Sequence, residues 1–237
     1  MIATWRYVKL LYRRGFALFG LAPLIVAIAV LPEFVQHIVE IRIGMFNGGE
    51  GVRDLADGAL RWSFGYAKLA GLLIAMFAAA RFWAAREGGG SWWRLGNVAW
   101  LPLAIGLAIF LFAPVLPDLV KAWIPDWAYT TAYWGISLAV APLLFAILAA
   151  LSGDRRIGPL AGYWRDWRWV PLLLMLLIAA YLLPLTAHYG LHRLAIGAPP
   201  LLLWPLMTVD ALVVGLLASL VGAALHLSYA AARPSEA

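Results

Sequence analysis

Glu33, Gln36, His37 and Glu40 fall at offsets of three, four and seven, which places them on one face of a helix. Two carboxylates beside an imidazole can relay protons or ligate a divalent cation, because imidazole and carboxylate both suit zinc or iron. His188 and His192, four residues apart, can share a second helical face. No His-Glu-x-x-His sequence accompanies them, and the Glu-x-x-His pair that di-iron bundles carry on two helices is absent. The expectation is therefore that no metal and no cofactor is bound, with Glu33, His37, Glu40, His188 and His192 the residues that would ligate an ion. Phosphate-binding loops, dinucleotide glycine patterns and the Gly-x-Ser-x-Gly elbow are likewise missing.

The elements that hold these residues follow from composition. Of 237 residues, 64% are hydrophobic and 13% are charged, and mean hydropathy is +0.85. Soluble domains carry roughly 25% charged residues, so the chain reads as an integral membrane protein. A spanning helix takes about 20 apolar residues, and six apolar runs qualify: 16 to 32, 62 to 83, 98 to 117, 127 to 151, 169 to 187 and 200 to 230. Short connectors leave no room for a soluble catalytic domain. With no cysteine, a disulfide scaffold and a cysteine-ligated zinc finger are excluded.

Net charge is +6, but the basic residues sit in short groups beside apolar runs, which fits lipid headgroups and not nucleic acid. Twelve of the 18 lie on one side of the predicted spans: Arg6, Lys9, Arg13, Arg14, Arg81, Arg86, Arg94, Arg155, Arg156, Arg165, Arg168 and Arg233. Cytoplasmic segments carry such an excess. Both termini are expected in the cytoplasm of a bacterial cell, with the chain integral to the inner membrane. Residues 3 to 14, with Trp5, Tyr7 and Tyr12 among basic residues, read as a short interfacial helix ahead of the first span.

Taken in pairs, the spans repeat. Trp5-Arg6, Trp93-Arg94 and Trp164-Arg165 each lead into a span closing on Leu-Pro, at Pro32, Pro117 and Pro184. A second span then starts near Trp62, Trp127 or Trp204 and ends in an alanine-rich stretch before arginine. The expected fold is all-α and polytopic: one transmembrane domain over 1–237, built as three helical hairpins about a pseudo-threefold axis. The repeats cover about 3–87, 92–154 and 163–233. Six residues beyond the leading tryptophans lie Lys68, Tyr133 and Asp210. An aspartate at that depth costs roughly 2.5–3.5 kcal/mol if left alone, so Lys68 is its expected partner, with Tyr133 donating between them.

The first hairpin carries about 20 extra residues, which hold Glu33, His37 and Glu40. This segment either continues the first span past Pro32 or lies on the outer surface, and Gly48-Gly49-Glu50-Gly51 then turns the chain. On the last span Gly215, Ser219 and Gly222 form a small-residue stripe suited to a membrane-protein partner. These features point to a non-enzymatic membrane protein that binds or translocates a small amphipathic or lipid-like ligand. The binding or buried polar residues would be Lys68, Tyr133, Asp210, Glu33, His37 and Glu40, with membrane lipids as surroundings. An accessory or scaffold subunit of an envelope complex is the alternative, and an intramembrane enzyme with an outer-face Glu/His site a further one.

Overall fold

The computed structural model describes residues 2–48, 52–154 and 159–233. Residues 49–51 of the glycine-rich turn, and Arg155 and Arg156 of the second linker, lie outside them. Every regular element among the described residues is helical. In order they are α1 (Ile2–Leu21), α2 (Pro23–Arg42), α3 (Val52–Ala56), α4 (Ala59–Glu87), α5 (Trp100–Phe112), α6 (Asp126–Val140), α7 (Leu143–Ser152), α8 (Pro159–Asp166), α9 (Val170–Ala195) and α10 (Pro200–Ala232), with short 3₁₀ segments between some of them. Among the described residues, six stretches are long and apolar enough to cross a membrane: Pro23–Arg42, Ala59–Glu87, Trp100–Trp123, Asp126–Ser152, Tyr163–Ala195 and Pro200–Ala232.

The first of these departs from the expected 16 to 32. Pro23 has no N–H to donate to the preceding turn, so one helix stops at Leu21 and a new one starts with proline in its first turn. The new helix runs through Pro32 to Arg42, which carries Glu33, Gln36, His37 and Glu40 into the bundle. The N-terminal segment is longer than the expected interfacial helix. Leu11 and Leu18 of α1 are fully buried, and Tyr12 Oη donates to Ala179 O at 2.8 Å.

The chain divides into two compact units. One comprises Met1–Ala80 and Met175–Ala224. Its core includes Leu11, Leu18, Ile25, Leu176, Met207 and Leu220, each at most 1% exposed. α2 and α4 approach closely there: a Cβ on Gly71 would lie 2.7 Å from Ile28 O. That carbonyl is the one deprived of its helical donor by Pro32, four residues on. Glycine at 71 thus lets α4 settle against the proline break in α2 and fixes their register.

The other unit comprises Arg81–Leu174 and Leu225–Ala237. Phe145, Ile147 and Leu173 are its buried apolar centre. Arg233 Nη2 donates to Asp166 Oδ2 at 2.9 Å, which ties the end of α10 to α8. His226 Nε2 lies 3.4 Å from Glu87 Oε2.

The small-residue stripe of α10 is occupied within the chain. A Cβ on Gly215 would lie 2.6 Å from Val30 Cγ2, and one on Gly222 would run into the Ala79 Cβ. Ser219 is buried and its hydroxyl donates to Gly215 O. Small residues here bring α10 against α2 and α4.

Candidate functional site

The first unit holds a connected group of ionisable side chains from four helices: Glu33, His37 and Glu40 of α2, Arg61 and Lys68 of α4, His188 and His192 of α9, and Asp210 of α10. The two pairs between α2 and α4 have the same spacing. Lys68 Nζ donates to Glu33 Oε1 at 2.9 Å, and Arg61 Nε donates to Glu40 Oε1 at 2.9 Å. Glu33 and Glu40 are seven residues apart, as are Arg61 and Lys68. Seven residues are two helical turns, about 10 Å of rise, so two antiparallel helices meet at two ion-paired rungs on one face.

Glu40 is saturated. Gln36 Nε2 donates to Oε1 at 2.7 Å, Arg61 shares that oxygen, and His37 Nδ1 lies 3.0 Å from Oε2. Glu33 is not saturated. Its Oε1 accepts from Lys68 and faces His37 Nε2 at 3.3 Å, while Oε2 is buried with no hydrogen-bond partner.

Asp210 is the hub. His37 Nε2 lies 2.9 Å from Oδ2, His188 Nδ1 lies 2.8 Å from both oxygens, and His192 Nε2 lies 3.2 Å from Oδ2. Three imidazoles from two helices thus converge on one carboxylate of a third. The His188 and His192 rings are 4.5 Å apart, and Phe46 closes over His192 at 5.7 Å. Phe46 belongs to an apolar group with Ala195, Leu203 and Met207. Gly197 N–H donates to Phe46 O at 2.7 Å, binding the α9–α10 turn to the chain after α2.

Burial is graded. Glu33, His37, Glu40 and Asp210 are at most 1% exposed, whereas His188, His192, Arg61 and Lys68 have side chains 19–24% exposed. The rim therefore opens where the carboxylates do not. The exposed Tyr189 packs its ring 5.7 Å from that of His188, and Tyr66 and Leu69, near Lys68 in sequence, are exposed as well.

Of the residues singled out from sequence, Glu33, His37, Glu40, His188, His192, Lys68 and Asp210 are brought together. Two pairings differ from expectation. Lys68 bonds Glu33 and not Asp210, because the α2–α4 register set at Gly71 puts the lysine beside the glutamate. Tyr133 does not bridge that pair: it belongs to the other unit, is 37% exposed, and stacks on Tyr129. Arg61 was overlooked as a site residue. Its signal was present in the seven-residue step to Lys68, which repeats the step from Glu33 to Glu40. The chain matches no protein-family model, no curated protein and no solved structure, so any assignment of function stands on this cluster alone.

Proposed function

We propose that the chain is a non-enzymatic multipass protein of the bacterial inner membrane, with both termini cytoplasmic, that binds or translocates a small amphipathic or lipid-like ligand. The polar end of the ligand enters the cluster of α2, α4, α9 and α10, and its apolar part lies along the neighbouring helices. The observation that carries this reading is the graded rim. Lys68, Arg61, His188 and His192 are partly exposed beside fully buried carboxylates, and the exposed ring of Tyr189 packs on His188. A polar group held at such a depth is costly in hydrocarbon and marks a functional site by default. The three-hairpin repeat, with its short connectors, belongs to the same proposal.

The test is binding of a fluorescent short-chain anionic phospholipid to the protein in mild detergent. Weaker binding by Lys68→Met and Asp210→Asn variants that elute and unfold as cooperatively as wild type supports the site. Full retention of binding in both removes it. An accessory subunit of an envelope complex is the alternative; Gly215 and Gly222, which prompted it, lie against Val30 and Ala79 of their own chain, and Ser219 is buried.

A further inference from the structure

Three carboxylates of the cluster, Glu33, Glu40 and Asp210, face two fixed cations, Arg61 and Lys68, which leaves the group one positive charge short. The missing charge comes either from a proton on one of the three imidazoles or from a bound cation. Asp210 Oδ2 has ring nitrogens of His37, His188 and His192 at 2.9, 2.8 and 3.2 Å. His188 Nδ1 lies 2.8 Å from Oδ1 as well, and a carboxylate offers about four lone-pair sites, so the three rings can all act as donors to it. If the imidazoles of His188 and His192 instead present lone pairs, the same convergence is a set of ligands around a common centre.

A second observation points to the same place. Glu33 is fully buried, yet its Oε2 has no hydrogen-bond partner. An orphaned buried carboxylate oxygen costs free energy unless something satisfies it. One ligand atom each from Glu33, His188, His192 and Asp210 lie within 4.8 Å of one another. The ligands of a tetrahedral ion at about 2.0–2.2 Å are about 3.3–3.6 Å apart, so the most separated pair closes by up to about 1.5 Å to complete the sphere.

We propose that Glu33, His188, His192 and Asp210 form a binding site for a divalent first-row transition cation of the zinc and iron(II) class. The donors are two imidazole nitrogens, Nδ1 of His188 and Nε2 of His192, and two carboxylates, with no thiolate to favour a soft ion. His37, with one nitrogen toward Glu40 and the other toward Asp210, positions the aspartate from behind. The proposal reverses the expectation from sequence that no metal binds. The missing signal was Asp210: on sequence it belonged with Lys68, so the donors on α2 and α9 lacked the carboxylate that joins them. The site shares residues with the ligand-binding reading above but does not depend on it.

The test uses the full chain in lipid nanodiscs, stripped with chelator, dialysed and titrated with zinc or cobalt(II). Native mass spectrometry counts zinc per chain, and visible absorption reports the cobalt ligand field. The expected result is one ion per chain, with binding weakened at least about 100-fold in His188→Gln and in His192→Gln. That exceeds the ~10–100-fold typical of losing a residue that only orients a ligand. His226→Ala, in the other unit, should bind as wild type does. A folded wild-type protein that takes up neither ion at micromolar concentration overturns the proposal, and so does unchanged affinity in the two glutamine variants. Zinc binding without phospholipid binding would overturn the functional reading and leave this site standing; the converse would overturn the site and leave that reading.

Discussion

Lys68 Nζ meets Glu33 Oε1 at 2.9 Å, two helical turns from where Arg61 meets Glu40 at the same distance. The matched rungs make α2 and α4 one electrostatic unit and leave His37, between the two glutamates, to face α10 through Asp210.

Removing one partner of a buried pair strands the other's charge, which costs about 3–5 kcal/mol, whereas replacing both with apolar residues is often neutral. Lys68 sits at the rim, so the lower end applies. Lys68→Met should destabilise the protein by about 3 kcal/mol, and Lys68→Met with Glu33→Leu should recover most of that loss. Chemical unfolding in detergent gives the cycle. Equal stability of the single and double variants would mean that the rung contributes no coupling.

The register of those rungs depends on the contact of Gly71 with Ile28 O. Gly71→Val places methyl groups where 2.7 Å is available to a Cβ, and overpacking of this kind typically costs about 1–3 kcal/mol. Since the displaced helix carries Lys68, the variant should also weaken metal and ligand binding without touching either directly. A Gly71→Val protein with wild-type stability and binding would show that α2 and α4 do not meet at this point.

Six apolar spans were legible because hydropathy depends only on composition along the chain. The first was placed too early for the same reason: Glu33 and Glu40 lower the local hydropathy, and their compensation by Lys68 and Arg61 comes from another helix. Pro23 marked the true start, since a proline that opens a helix and one that interrupts it differ only by what precedes them. The residues of the cluster were visible singly as polar side chains in apolar surroundings. Their pairing was not, because it depends on how α9 and α10 are rotated about their axes. Aligning hairpins by their tryptophans placed Lys68 and Asp210 at equivalent positions without saying which neighbour each one faces.

Orientation has a separate check. The excess of arginine and lysine beside the N-terminus and around Arg86 and Arg94 predicts that a reporter inserted at Gly89 reads cytoplasmic and one at Gly48 reads periplasmic. The opposite pattern would place the rim of the cluster toward the cytoplasm and invert the proposed topology.

If the cluster holds a transition metal, binding free energy adds to folding free energy. Zinc at about 100 times its dissociation constant should then stabilise the chain by about 2.7 kcal/mol, and chelator should reverse the gain. In His192→Gln the zinc response at that concentration should fall to about 0.4 kcal/mol or less. A zinc response that persists undiminished in that variant would locate the ion elsewhere.

The most direct test of the account is transfer of a fluorescent anionic phospholipid between leaflets of vesicles containing the purified protein, compared between wild type and Asp210→Asn. The account predicts transfer above that of protein-free vesicles for wild type and its loss in a folded Asp210→Asn protein. Equal transfer by the two proteins would contradict the assignment of the Asp210 cluster as the ligand site.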